Sequence, residues 1–185
     1  MTVRAAGETD PPGILAIYNE VIRTSTAVQA DDPMPPADRA AWFAGRQAEG
    51  YPVLVAEDAA GMAGFGDFRA WPGHRHTVAH SLDIRAKCRG RGGALVTALF
   101  PVAEGLGKHM MIAGVDAAKA ASIAMHERLG FGRVAHLREV GRKFDRWLDL
   151  VFLQRLLGAP QSLRNPQKQL GVRGNTFPRP GFLAS

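Results

Sequence analysis

A loop rich in glycine and arginine, RGRGGAL over residues 89–95, separates two apolar segments. The segment before it alternates like a strand, and the segment after it has helical spacing. Glycines let the backbone approach a ligand closely, and a helix N-terminus offers free N–H groups at the positive end of its dipole. Arg89 and Arg91 add two cations that can donate charge-assisted hydrogen bonds. This combination indicates an anion site suited to a diphosphate.

The loop lacks the signatures of two common nucleotide-binding motifs. No Gly-Lys-Ser/Thr follows, as a P-loop requires, and the three-glycine spacing of a dinucleotide fingerprint is absent. Two simpler interpretations stay open, a glycine turn with solvated arginines and an isolated RGG of the kind found in RNA-binding tails.

The segment TVAHSLDI, Thr77–Ile84, precedes the loop and is typical of a strand with two different faces. Alternate residues of a strand point to opposite sides of its sheet. One side carries Val78, His80, Leu82 and Ile84, and the other carries Thr77, Ala79, Ser81 and Asp83. The sequence alone does not decide which side is buried.

Length and composition indicate one globular domain. The chain has 185 residues, of which 46% are hydrophobic and 22% charged, enough to bury one core. The single cysteine, Cys88, excludes an intrachain disulfide and favours a reducing cytoplasm. No apolar run reaches membrane-spanning length, the N-terminus lacks the pattern of a signal peptide, and no cluster has metal-ligand spacing. We therefore predict a cytoplasmic protein that has no metal site and does not bind a membrane.

The formal net charge of +6 is concentrated at the C-terminus. Residues 159–185 contain four basic residues and no acidic one, so the rest of the chain is nearly balanced. We predict a folded domain over residues 1–158 and a basic, Pro/Gly-rich, flexible tail over residues 159–185. A nucleic-acid-binding module would depend only on this tail and the single RGG, so we do not expect nucleic acid as a partner.

Hydrophobic spacing and turn residues predict a mixed α/β domain (α+β), with helices packed on a mixed sheet. The predicted strands are residues 3–5, 51–58, 61–68, 77–84, 109–115, 131–137 and 146–156. The first predicted helix follows a capping Thr9 or Asp10, and the second begins at Pro35 and ends at Gly50. The third extends from the loop to about Leu106, at a cost of about 3 kcal/mol if Pro101 lies inside it without a kink, and the fourth covers residues 118–130.

Several segments resemble the GNAT N-acetyltransferases. The pattern Arg89-x-x-Gly92-x-Ala94 is similar to the loop that holds the pyrophosphate of acyl-coenzyme A in that superfamily. GILAIYNEVI, GDFRAWPGHRHTVAHS, AASIAMHERLGF and VGRKFDRWLDL are similar to its phosphinothricin and methionine sulfone acetyltransferase branch. The resemblance implies a GNAT fold, with a splayed, mixed, mostly antiparallel sheet whose central strands part to admit pantetheine. It also implies a homodimer and direct transfer of acetyl from acetyl-CoA to the α-amine of a small amino-acid analogue.

By position, the resemblance implies a coenzyme site and an acceptor site. Backbone groups of Leu82, Asp83 and Ile84 would bind the pantetheine and the thioester carbonyl, with Leu82 among the catalytic groups. The other implied coenzyme contacts are Arg89, Gly90, Arg91, Gly92, Gly93, Ala94, Leu95, Lys119 and Ser122. The implied acceptor contacts are Arg69, Ala70, Trp71, Ala79, His80 and Ser81.

Three of these side chains each have an alternative interpretation. Arg69 either clamps the acceptor's carboxylate or sulfone-like oxygens, or is a solvated loop arginine. His126 shares a helical face with Ser122 and Lys119, and either protonates the thiolate or is a packing histidine. Lys119 replaces an asparagine that binds coenzyme A in the family: it either still reaches a phosphate or the pantetheine, or weakens binding, because a lysine cannot accept a hydrogen bond as the amide can.

Ala79 departs from the branch, which has a glutamate at this position that takes the proton of the amine. General-base assistance is typically worth 10²–10⁴-fold, so its loss predicts a slow enzyme unless another group substitutes. The local candidates are His76, His80, Asp83 or a chain of waters. Asp83 shares the face of Ala79 but lies roughly 13 Å along the strand, too far to replace the glutamate directly, and His80 is adjacent but points to the other face. The alternative function is a GNAT-fold protein that binds coenzyme A or a metabolite with impaired catalysis.

Overall fold

Seven strands and four α-helices make up the part of the chain described by the computed structural model, residues 2–58, 60–88 and 90–158. The strands are β1 (Val3–Ala5), β2 (Val53–Ala56), β3 (Gly61–Asp67), β4 (Thr77–Ile84), β5 (Met110–Asp116), β6 (Gly132–Lys143) and β7 (Arg146–Leu156). The helices are α1 (Pro11–Thr24), α2 (Pro36–Ala48), α3 (Gly92–Gly105) and α4 (Ala120–Arg128). The predicted order of elements is confirmed. Arg89 and the predicted tail, residues 159–185, lie outside the described residues.

The strands form one sheet in the order β1-β2-β3-β4-β5-β7-β6, and the sheet opens at its centre. Every neighbouring pair is antiparallel except β4 and β5, which are parallel and pair only through Thr77, Val78 and Ala79 of β4. Beyond Ala79, β4 continues beside β3 to Ile84, while β5 continues beside β7 to Asp116. The predicted splay is therefore confirmed, and the backbone of residues 80–84 faces a gap on its β5 side.

The helices cover the two faces of the sheet in pairs. Side chains of α3 and α4 join the larger core cluster, with Val78 of β4 fully buried among them. Side chains of α1 and α2 join a second cluster with Met62 of β3. Because side chains alternate along β4, Ala79, Ser81 and Asp83 face the α1 and α2 side, opposite Val78.

The start of α1 differs from the sequence expectation. Asp10 occupies the N-cap position but makes no capping hydrogen bond. Its carboxylate instead accepts a 2.7 Å hydrogen bond from the Gly7 N–H and pairs with Arg4. The Arg4 guanidinium lowers the pKa of Asp10 to about 2. The carboxylate therefore binds the nearby guanidinium of Arg4 rather than the free N–H groups of the helix terminus.

Strand β6 is longer than the predicted strand, which ended at Leu137. It extends to Lys143, a residue that is 3% exposed and whose ammonium donates to the carbonyls of Ile22 and Val28 at 2.7 and 2.5 Å. These bonds tie the β6–β7 hairpin to the end of α1. In α3, Pro101 lies inside the helix as the sequence suggested. None of the helices in the described residues is both long and apolar enough to cross a bilayer.

Gly61 lets β3 lie close to the unpaired half of β4. It pairs with Ile84, and a Cβ at this position would lie 2.5 Å from the carbonyl oxygen of Asp83. We expect Gly61→Ala to lower the free energy of unfolding by about 1–3 kcal/mol because the backbone must shift. The matched control Gly45→Ala, where a Cβ meets nothing within 4 Å, should raise it by about 0.5–1 kcal/mol. Urea denaturation measures both, and equal midpoints for Gly61→Ala and the wild type would contradict the close approach.

Candidate active site

A cleft of about 360 Å³ lies between α1, α2 and the face of the sheet that carries Ala79. Such a volume is typical of sites for small molecules. Its walls include the rings of Tyr18 and Trp42, and β3 contributes Gly64 and Gly66. A Cβ on Gly66 would collide with the guanidinium of Arg46, so this glycine makes room for the arginine beside the cleft.

The structure brings half of the predicted acceptor residues to this cleft. Ala79, His80 and Ser81 all line it, together with Asp83. The predicted residues of the loop after β3 do not line it: Arg69 and Ala70 are exposed, and Trp71 is 71% exposed. The Arg69 guanidinium lies 5.5 Å from the centroid of the Phe68 ring.

Arg39 is the cleft residue that sequence reasoning missed. It is only 2% exposed, and its guanidinium carbon lies 3.9 Å from the Tyr18 ring centroid and 4.5 Å from that of Trp42. Its Nε and Nη2 atoms are buried without a hydrogen-bond partner. Burial lowers the pKa of Arg39, and Tyr18 and Asp83 oppose that shift. The available signal was its helical spacing with Trp42 and Phe43, which places an arginine on the apolar side of α2.

Asp83 is the buried acid of the cleft, with 5% exposure. Burial raises its pKa to about 6, and the positive charge of Arg39 acts in the opposite direction. Within the described residues, no ion pair within 4.0 Å joins Asp83 to Arg39, and its carboxylate accepts no hydrogen bond. The cleft therefore contains two buried groups of opposite charge that interact without touching.

A pair of histidines lies where β4 meets α4. The Nε2 atoms of His80 and His126 are 3.1 Å apart, and Phe131 packs edge-on against both rings. The Nδ1 atom of His126 lies 2.8 Å from the carbonyl of Ser122. A carbonyl only accepts, so His126 is protonated at Nδ1 and the proton between the two Nε2 atoms belongs to His80. Burial lowers the pKa of both, that of His80 to about 3, so the pair is neutral at physiological pH.

The glycine loop leads directly into α3. Gly90 has a φ of +93°, and α3 begins at Gly92 without any side-chain cap, which leaves its first N–H groups open. A Cβ on Gly92 would lie 2.8 Å from the Leu82 side chain, so the glycine brings the helix terminus against β4. Leu95 is fully buried, and its side chain belongs to the larger core cluster. These residues fit a diphosphate group.

The two described cationic side chains that the resemblance assigns to coenzyme A, Arg91 and Lys119, differ in their contacts. Arg91 forms an ion pair with Asp58, with both side chains about half exposed. Lys119 is half-buried just before α4, and its carbonyl accepts hydrogen bonds from Ser122 and Ile123. Among the described residues, no group of three or more His, Cys, Asp or Glu side chains is placed to hold a metal ion.

Comparison with known proteins identifies a matching family and several similar proteins. Residues 14–131 match the acetyltransferase (GNAT) family. The L-methionine sulfoximine/L-methionine sulfone acetyltransferase of Pseudomonas paraeruginosa is 46% identical over 83% of this chain and 92% of its own length. The phosphinothricin N-acetyltransferase of Alcaligenes faecalis is 34% identical over 85% and 83%. A phosphinothricin acetyltransferase from Sinorhizobium meliloti, crystallised with acetyl-CoA, superposes with a TM-score of 0.80 at 33% identity, covering 85% of this chain and 88% of that one.

The neutral histidine pair predicts a specific sensitivity to acid. The folded pKa of His80 lies below its unfolded value, so its contribution to stability is present above about pH 6.5 and is lost as the pH falls toward about 3. We expect His80→Asn to flatten the fall in the free energy of unfolding between about pH 7 and pH 4. Urea unfolding at a series of pH values measures this slope. The exposed His109→Asn is the control, and an unchanged slope for His80→Asn would refute a buried neutral pair.

Proposed function

The chain belongs to the acetyltransferase (GNAT) family, and we propose that it transfers acetyl from acetyl-CoA to the α-amino group of a small amino-acid analogue. Methionine sulfone, methionine sulfoximine and phosphinothricin are the expected acceptor type, because the relatives are named for them. The observation that carries the proposal is the cleft on β4, which lies beside the stretch of that strand without a β5 partner.

The residues of the gap and the glycine loop are suited to acetyl-CoA, the co-substrate of GNAT acetyltransferases. When bound, it supplies an acetyl thioester whose thiolate is the leaving group. The backbone of residues 82–84 would bind the pantetheine through the gap, with the Leu82 backbone at the thioester carbonyl, where N–H donors stabilise an oxyanion. The open N–H groups of residues 92–94, with Gly90 and Leu95 beside them, would hold the pyrophosphate. Arg89, Arg91, Lys119 and Ser122 are the further proposed coenzyme contacts.

The two halves of the proposed site meet at the same part of β4. The acceptor cleft lies on the α1 and α2 face, and the gap opens along the edge of residues 80–84. The amine and the thioester can therefore meet without a covalent enzyme intermediate, which supports direct transfer in a ternary complex. Within the cleft we propose Ala79, His80 and Ser81 as acceptor contacts. The acceptor contacts that we propose outside the lining of the cleft are Arg69, Ala70 and Trp71.

We propose that His126, acting with His80, supplies the proton for the leaving thiolate. Their Nε2 atoms are 3.1 Å apart, and burial lowers the pKa of both rings, so the pair is neutral until it takes up a proton from solvent. A ring that has taken up such a proton gives it up readily, which suits a donor to the thiolate. The alternative role of His126 is packing, since it is 2% exposed and contacts Phe131.

Ala79 favours a second candidate function. A methyl group cannot accept the proton of the amine, so a protein with this cleft can bind coenzyme A or a metabolite with little turnover. The two functions make different predictions for the same assay.

We also propose a homodimer, formed through the β6–β7 hairpin. Five large apolar side chains are at least 40% exposed there: Val134, Leu137, Val140, Phe144 and Trp147. A group of such residues on one element is typical of an interface between proteins. A cytoplasmic location stays a prediction that rests on the single cysteine.

Acetylation assays distinguish the two functions. We expect the full chain with acetyl-CoA to release coenzyme A thiol when L-methionine sulfone, L-methionine sulfoximine or phosphinothricin is added, with the acetylated amine identified by mass spectrometry. The reaction without an acceptor gives the baseline. Binding of acetyl-CoA with no release above this baseline would overturn the enzyme proposal and favour the binding protein.

A further inference from the structure

We propose that Arg39 and Asp83 form the polar acceptor subsite of this chain, with Arg39 binding the carboxylate of the amino acid and Asp83 accepting the proton of its amine. The inference rests on the proposed function and names the residues that carry it out. It also gives the general base a position different from residue 79, where the family resemblance implied a glutamate.

Arg39 presents an unused binding edge. Tyr18 and Trp42 cover the guanidinium within 3.9 and 4.5 Å of their ring centroids, which leaves its edges for hydrogen bonding. The two atoms without a partner, Nε and Nη2, share one edge of the guanidinium. This edge matches the two oxygens of a carboxylate. Leaving charged donors buried and unpaired is costly, and a bound carboxylate would remove that cost.

Asp83 offers the complementary group. It lines the same cleft at 5% exposure, and its carboxylate accepts no hydrogen bond within the described residues. Arg39 is near enough to influence it electrostatically, yet no ion pair within 4.0 Å closes the space between them. An α-amino acid carries an anionic and a basic group on one carbon, so it complements two opposite charges held apart.

The position of Asp83 along β4 fits attack on the thioester. Asp83 directly follows Leu82, whose backbone we placed at the thioester carbonyl, whereas Ala79 lies roughly 13 Å farther along the strand. The small side chains of Ala79 and Ser81 leave that end of the cleft to the side chain of the acceptor. The reacting amine is therefore expected at the Asp83 end.

Acetyl transfer from the thioester to the amine forms one bond and breaks one. The neutral amine nitrogen forms the new N–C bond with its lone pair, and the C–S bond breaks with its electron pair going to sulfur. Asp83 takes one N–H proton and returns it to solvent after the reaction, and the sulfur takes one proton that the histidine pair has taken up from solvent, so coenzyme A leaves as a thiol.

The surroundings of Asp83 suit this role. Burial raises its pKa to about 6, which makes it a better base than an ordinary aspartate and leaves it ionised at pH 7. The other titratable groups that line the cleft are Tyr18, Arg39, Arg46, Asp67 and His80.

The first test removes the charge of Asp83. We expect Asp83→Asn to lower kcat/KM for L-methionine sulfone by about 100-fold or more, with the affinity for acetyl-CoA unchanged in calorimetry. Glu8→Gln, which likewise replaces an exposed carboxylate by its amide, is the matched control and should behave as the wild type. Wild-type kcat/KM in Asp83→Asn would overturn its role as the base.

The second test removes the fork of Arg39. We expect Arg39→Gln to raise KM for L-methionine sulfone by about 10-fold or more, because a charged hydrogen-bonded pair is lost. Its kcat/KM for methylsulfonylpropylamine, which lacks the carboxylate, should change by less than about 3-fold. Arg39→Lys keeps the charge without the fork and should show the same selectivity to a smaller extent, and the exposed Arg23→Gln is the control. An equal loss with both acceptors would show a structural role and overturn the carboxylate subsite.

Failure of the proposed function is distinct from failure of this inference. A wild-type chain that binds acetyl-CoA but acetylates none of the acceptors overturns both. A wild-type chain that acetylates them, together with active Asp83→Asn and unselective Arg39→Gln, overturns only the assignment of Arg39 and Asp83.

Discussion

The parting of β4 and β5 after three residue pairs is the constraint on which the proposed site depends. Elsewhere in the sheet, each of these strands has a long antiparallel partner, β3 for β4 and β7 for β5. These partners keep each half of the sheet intact while its centre opens. The opening leaves N–H and C=O groups of residues 80–84 without ladder partners, and buried backbone groups require a partner. A ligand with amide groups of its own, such as pantetheine, can supply them.

The two faces of β4 have different electrostatic environments. On the face toward α1 and α2, Arg39 and Asp83 are buried with opposite charges and without direct pairing. On the other face, His80 and His126 share one proton and are held neutral by burial. Charged groups on the acceptor side can orient a zwitterion, and a proton-sharing pair on the other side can serve a leaving group. Strand β4 therefore separates a face with buried charged groups from a face with a neutral histidine pair.

The sequence was sufficient for the elements and for the place of the glycine loop between β4 and α3, since periods of 2 and 3.6 residues and a glycine loop are local signals. It was insufficient where contacts between distant parts of the chain determine the local structure. The end of β6 was missed because its residues are mostly exposed and give no buried alternation. Thr9 or Asp10 was expected to cap α1; Asp10 occupies the N-cap position, but its carboxylate binds Arg4 instead of the helix N–H groups. Arg39 was missed because an arginine on a helix normally faces solvent, and only the packing of α2 against the sheet buries it.

A crystal structure of the chain with coenzyme A and L-methionine sulfone tests the central claim most directly, because it shows where both ligands bind relative to β4. We expect the pantetheine in the gap between β4 and β5, the acceptor carboxylate on Nε and Nη2 of Arg39, and the amine within hydrogen-bond distance of Asp83. Pantetheine outside the gap, or an acceptor whose carboxylate lies away from Arg39 and whose amine lies away from Asp83, would contradict it.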